Sequence, residues 1–287
     1  MAANTRDIRR RIKSIKNTAQ ITKAMQMVAA AKMRKAQQAA LAARPYSELM
    51  NKVLASLGGR TDPGLSEFLE VRPVKKELVL IISTDKGLCG ALNTNLLREV
   101  SQFDATKTVF VAAGRKAAQF VARTKRQLLA DFDVKDSPGL IDTKAVSKFV
   151  IEKFLAREVD KVSVLYTHFV NTLVQQPTVR TILPLSPAEI GGNGETIAGD
   201  GSTEYLFEPS ALDVLSSILP HYVHFQVYQM VLNSRASEHS ARMVAMKSAT
   251  DNAKQLIKDL TLEYNKVRQA SITTELLEIS TAQMVLG

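Results

Sequence analysis

Two glycines and a cysteine fall within ten residues at TDKGLCGALN (84–93), directly after the apolar run ELVLII. A glycine turn between a strand and a helix is where backbone amides cradle a phosphate. The spacing here is neither G-x-x-x-x-G-K-[ST] nor G-x-G-x-x-G, and no lysine stands where a Walker lysine would. A tight turn with close strand–helix packing accounts for it better. A second glycine-rich run, GGNGETIAGDGSTE (191–204), precedes no helix suited to a pyrophosphate and reads as a loop. The four histidines are His168, His221, His224 and His239. His221 and His224 are three apart and share a helix face, but no cysteine or nearby carboxylate completes a metal set. There is no G-x-S-x-G nucleophile elbow. Cys89 stands alone, so no internal disulfide forms, and it reads as a small buried packer in a reducing compartment. No catalytic residue, cofactor or metal is expected.

The elements around that turn explain its context. From residue 74, VKKELVLIIS, KTVFVAAG, RQLLADFDV, DKVSVLYTHF and PTVRTILPL read as strands. Between them TNLLREVSQF, RKAAQFVART and DTKAVSKFVIEKFLARE read as helices, the last with Asp142 as its N-cap. Strands alternating with helices predict an α/β domain with a mostly parallel, Rossmann-like sheet.

Both flanks have a different texture. Before residue 58 there is no glycine and one proline, Pro45. Ile8, Ile12, Ile15, Ala19, Thr22, Gln26, Ala29, Met33, Ala36, Ala40 and Ala43 recur in alternating steps of four and three. That is a heptad seam, which wants a partner helix rather than a globular core. Fifty helical residues span about 75 Å. GGRTDPGLS (58–66) ends the helix. From about Pro209 the chain reads as helix again, with Met246, Ala249, Ala253, Leu256 and Leu260 restoring the spacing before a slight drift at Tyr264 and Val267. Two helices flanking a compact insert pair with each other, antiparallel, with the slim stretches KAMQMVAAAKM and ARMVAMKSA opposite one another. The predicted plan is a helix over 1–57, an α/β domain over 74–190, a loop over 191–208 and a helix over 209–287.

The chain has 287 residues and a net charge of +10. Arg6, Arg9, Arg10, Arg11, Lys13, Lys16, Lys23, Lys32, Arg34 and Lys35 fall in the first forty residues, where Asp7 is the one acid. This arginine-rich start superficially suits a transit peptide, but the helical pattern runs on unbroken beyond it. Such a helix suits nucleic acid, an anionic membrane surface or acidic protein loops. In basic zipper proteins the basic segment lies outside the heptads; here basic and seam positions interleave. Tryptophan is absent and few aromatics stand ready to stack on bases. A basic coiled-coil nucleic-acid binder stays as the alternative. No apolar run is long enough to span a bilayer.

Three stretches, IRRRIKSIKNTAQITKAMQMVAAAKMRKAQ, STDKGLCGALN and SEHSARMVAMKSATDNAKQLIKDLTLEYNKVRQASITTELLEI, resemble the gamma subunit of F-type ATP synthase. No cysteine-bearing insert of the chloroplast kind is present, so the resemblance is to the bacterial type. It implies a central rotor shaft that couples rotation of a membrane-embedded, ion-driven c-ring to sequential ATP synthesis or hydrolysis. Its implied partners are alpha and beta subunits in a 3:3 ring, the epsilon subunit and the c-ring. It touches the membrane through the ring alone, at the cytoplasmic face of the bacterial cell membrane, and carries no catalysis of its own. By the same resemblance Lys23 and Met25 lie near acidic beta-subunit loops. Arg242, Arg268, Gln269, Thr273 and Glu275 touch the catch loops and pair across the coil. Tyr205, Phe207 and Glu208 face the ring, with Phe207 departing from the tyrosine that some members carry.

Overall fold

The computed structural model describes residues 5–58, 66–185, 208 and 210–286. Two compact units make up the chain: Met1–Ala30 with Arg242–Gly287, and Ala31–Ala241. Helices α1 (Thr5–Gly58) and α5 (Ala211–Leu286) each contribute residues to both.

In the larger unit β1 (Glu77–Ile82), β2 (Thr108–Ala113), β3 (Leu128–Phe132), β4 (Lys161–Phe169) and β5 (Gln175–Leu183) form one sheet in the order β3-β2-β1-β4-β5. The first four are parallel, and β5 returns antiparallel beside β4. Alternation along β1 explains the layers. Leu78, Leu80 and Ile82 face a core shared with α4 (Leu140–Leu155), the first turns of α5 and Leu54 of α1. Val79 and Ile81 face a smaller core under α2 (Leu92–Val100) and α3 (Arg115–Arg123). Covered on both sides, β1 and β2 are apolar almost without interruption, as a central parallel strand requires. Fully buried Leu80 and Phe110 each contribute about 1.5–3 kcal/mol.

Asp142 is not the N-cap of α4. The cap is Gly139, and Asp142 sits three residues on, where its carboxylate accepts the Gly139 N–H at 2.9 Å and the Lys135 ammonium at 2.7 Å. Those bonds, the lysine's foremost, hold its pKa below the ordinary carboxylate range. Pro138-Gly139 moves the helix start upstream of where the sequence places it.

In the smaller unit the two helices are antiparallel. The hydroxyls of Thr22 and Thr250 share a hydrogen bond at 2.7 Å, and the Arg9 guanidinium donates to the Tyr264 hydroxyl at 2.7 Å. Moving back along α1 from Thr22 to Arg9 therefore moves forward along α5 from Thr250 to Tyr264. Both threonines are satisfied: whichever donates across, the other turns back to the carbonyl of Ala19 or Met246 on its own helix. Each predicted seam position of α1 is buried or half-buried. On α5 two are corrected: Thr250 is buried where Ala249 is half-buried, and Leu256 is 51% exposed while Ile257 is half-buried. The α5 seam is Met246, Thr250, Ala253, Ile257, Leu260, Tyr264 and Val267, a regular four-three alternation without the expected drift.

Thr5, the first described residue of α1, falls opposite about residue 267, while α5 continues to Leu286. The described side chains of 268–283 are all exposed. The last stretch of α5, roughly 28 Å at 1.5 Å per residue, has no described residue of α1 beside it.

With Cys89 changed to Ala, Thr22→Cys with Thr250→Cys is expected to oxidise readily to a disulfide, and Thr22→Cys with Tyr264→Cys is not. Preferential oxidation of the second pair on a non-reducing gel would refute this register.

Candidate functional site

A doubly wound sheet places ligands outside the carboxyl ends of its strands, where the strand order reverses. Here that point lies between β1 and β4. Three helix-end amides of α3 point toward the end of β1, the arrangement that captures a phosphate. Each is already used. Arg115 N–H donates to Asp85 Oδ1 at 3.1 Å, Lys116 N–H to the Thr84 carbonyl at 3.1 Å and Ala117 N–H to Ser83 Oγ at 2.9 Å. The approach is close enough to demand glycine at the helix cap. Gly114 has φ 118°, and a Cβ there would lie 2.4 Å from the Ser83 carbonyl oxygen.

The glycine turn itself closes on its own side chains. Asn93 Nδ2 donates to Thr84 Oγ1 at 2.8 Å and to Cys89 Sγ at 3.3 Å, and Thr84 Oγ1 donates to the Lys86 carbonyl at 2.8 Å. Cys89 is buried; Leu88 is held at φ 64° with its side chain 61% exposed.

The crevice between β1 and β4 is filled by the chain itself. Residues 234–240 of α5, Ser-Arg-Ala-Ser-Glu-His-Ser, are all buried, although six of the seven are polar. Ser234 Oγ accepts the Thr167 N–H at 3.2 Å, Ser237 Oγ donates to the Thr167 carbonyl at 3.1 Å and Ser240 Oγ donates to the Thr172 carbonyl at 2.8 Å. Arg235 donates to Asp85 at 3.4 Å, to Glu238 at 2.7 Å and to the Val134 carbonyl. Beside it Lys32 of α1 pairs with Asp136, and this hydrogen bond is the main cause of that carboxyl's lowered pKa. The sequence offered one signal for this cluster, a polar heptapeptide inside a long helix, but polarity alone reads as a solvated face.

The histidine pair is structural. His224 Nδ1 lies 2.6 Å from Ser147 Oγ, which is also within hydrogen-bonding reach of the carbonyls of Thr143 and Lys144. Burial first, then the charges of Lys144 and His221, lower the His224 pKa and keep it neutral.

The residues expected to make contacts are dispersed. Lys23 is exposed and Met25 half-buried on α1; Arg242 is half-buried on α5. Arg268, Gln269, Thr273 and Glu275 are exposed on the solitary end of α5. No described residue of α1 lies beside these four. Thr273 instead donates to the Gln269 carbonyl at 2.9 Å, and Glu275 accepts from Ser271 at 3.3 Å. Glu208 is exposed. Tyr205, Phe207 and the 191–204 run lie outside the described residues.

A sequence profile described as ATP synthase matches residues 4–286. The "ATP synthase gamma chain" of Methylacidiphilum infernorum is 51% identical, covering 99% of this chain and 100% of that one. The protein of the same name from Opitutus terrae is 51% identical, covering 98% of each. Among solved structures, a chain of the Euglena gracilis mitochondrial ATP synthase (OSCP/F1/c-ring, rotational state 3) aligns with a TM-score of 0.70. It covers 98% of this chain and 94% of that one at 22% identity, so the likeness speaks to the fold.

Gly114→Ala is expected to destabilise the chain by about 3 kcal/mol or more in urea unfolding, since the Cβ meets backbone that cannot turn aside. Calorimetry with ATP on the purified chain is expected to show no micromolar binding. Such binding, abolished by changing Gly87 or Gly90, would restore a nucleotide site.

Proposed function

This chain belongs to the ATP synthase gamma-chain family, and from that premise we propose that it is the central rotor shaft of a bacterial ATP synthase. It couples rotation of a membrane ion-driven ring to sequential ATP synthesis or hydrolysis in a ring of alpha and beta subunits. It is itself non-catalytic and binds no cofactor. It works at the cytoplasmic face of the cell membrane, where it touches the c-ring and the epsilon subunit. The observation that carries this reading is the end of α5 beyond the coil. Ile272, Leu276, Leu277 and Ile279 are 43%, 62%, 61% and 63% exposed on a helix with no described residue of α1 opposite. A solitary helix of this length holds little stability in water and calls for an outside sleeve.

The seam suits rotation. Alanine, threonine and methionine give a slim coil without deep apolar anchors, so it does not lock to one wall of a sleeve. Lys23 and the other exposed cations of α1 meet acidic loops through contacts that form and break as the shaft turns. Met25, Arg242, Arg268, Gln269, Thr273 and Glu275 are the proposed contacts with the surrounding subunits, and Tyr205, Phe207 and Glu208 those facing the ring. Torque is then a difference in contact energy between shaft orientations, shared among the beta subunits. The nucleic-acid alternative gains no support from the relatives.

A tagged chain is expected to bring down alpha and beta subunits from its host; recovery of DNA instead would overturn the reading. Gln269→Leu is expected to leave helicity unchanged while slowing ATP hydrolysis by the assembled complex about fivefold, the value of one hydrogen bond of about 1 kcal/mol. A fall in the circular-dichroism signal matching the fall in rate would make Gln269 a stabilising residue rather than a contact.

A further inference from the structure

We infer that residues 234–240 of α5 form a torsion lock, a polar joint that fixes the rotation of this helix about its own axis against the α/β sheet. The inference rests on the rotor reading, in which the sheet-bearing unit must transmit torque to the helices. A helix held by apolar contacts alone turns against a soft restraint, because the area it buries changes gradually with angle. Such is the stretch just before the joint, where Leu215, Leu219, Val223, Val227, Met230 and Val231 enter the main core. Hydrogen bonds weaken steeply away from their preferred angles.

The joint is bonded from two sides. Ser234, Ser237 and Ser240 reach the backbone at Thr167 and Thr172, at the end of β4 and just beyond it. Arg235 reaches Asp85 after β1 and the Val134 carbonyl after β3. Arg235 and Ser237 are two residues apart, so at about 100° per residue their side chains leave the axis on nearly opposite sides. Turning α5 in either sense breaks bonds on both sides. It draws a buried guanidinium, 3% exposed, away from Asp85 and the Val134 carbonyl, while its pair with Glu238 on the same helix turns with it. Asp85 also accepts the Arg115 amide, so the load passes from Arg235 into the start of α3. A core of ordinary apolar residues would give comparable stability with a softer restraint on angle.

The test uses the assembled complex, fixed by its alpha and beta subunits, with a bead on exposed Thr106→Cys in a Cys89→Ala chain. ATP-driven rotation of this parent is observed first. The complex is then stalled without nucleotide and the angular variance of the bead is recorded. Ser237→Ala/Ser240→Ala, and separately Asp85→Asn/Arg235→Met/Glu238→Gln, which removes all three charges of the cluster, are expected to raise that variance about twofold, as parallel bonds are lost from one joint, with the hydrolysis rate unchanged. Val227→Ala, an apolar deletion beside the joint, is expected to lower the Tm and leave the variance at the parent's value. If the triple variant does not assemble, the serine pair decides. A parent that turns with unchanged variance in the variants, or Val227→Ala raising it equally, overturns the lock alone. A parent that does not turn overturns the rotor reading and the lock with it.

Discussion

The antiparallel register of α1 with α5 is the constraint on which the rest depends. Thr22 against Thr250 and Arg9 against Tyr264 fix it with two polar contacts. Around Thr22 and Thr250 the seam is mainly alanine, methionine and threonine, and that stretch would otherwise specify the register weakly, because little area distinguishes one alignment from the next. The register decides which residues of α5 have a described residue of α1 beside them, and the described side chains from Arg268 onward, Gln269, Thr273 and Glu275 among them, are exposed.

The larger unit carries the architecture of a ligand-binding sheet with its ligand positions occupied from within. The amides of α3 bond to the end of β1, and the β1/β4 crevice holds a buried polar turn of α5. Groups that would hold a phosphate instead hold a helix. The same chemistry that binds tightly and directionally in an enzyme thus serves as a mechanical attachment, and the glycine turn after β1 owes nothing to the close packing its sequence suggested: a Cβ at Gly87 or Gly90 would meet nothing within 4 Å, and Gly90 serves the turn through its φ of 59°.

Much of this was legible in the sequence because it rests on periodicity. The four-three spacing of α1 from Ile8 to Ala43 and the apolar runs of β1 and β2 correspond to burial in the structure. Errors arose where neighbouring residues satisfy one pattern equally. Leu256 is the larger and Ile257 the buried member of an adjacent pair, and only the partner helix distinguishes them. Asp142 is a good cap residue by type, but Pro138-Gly139 starts the helix earlier and leaves it to bond backward. The Arg235 cluster was illegible for a deeper reason. Its partners Asp85 and Val134 are brought to it by the sheet from two distant parts of the chain, and the nearby Glu238 reads as an ordinary surface pair on a helix. The solitary end of α5 required the register and could not be read from either helix alone.

The most direct test of the shaft is to watch it turn. With the alpha–beta ring fixed to a surface and a bead on the α/β unit, addition of ATP should drive unidirectional rotation in step with hydrolysis. Hydrolysis at full rate beneath a stationary bead would contradict a central rotor.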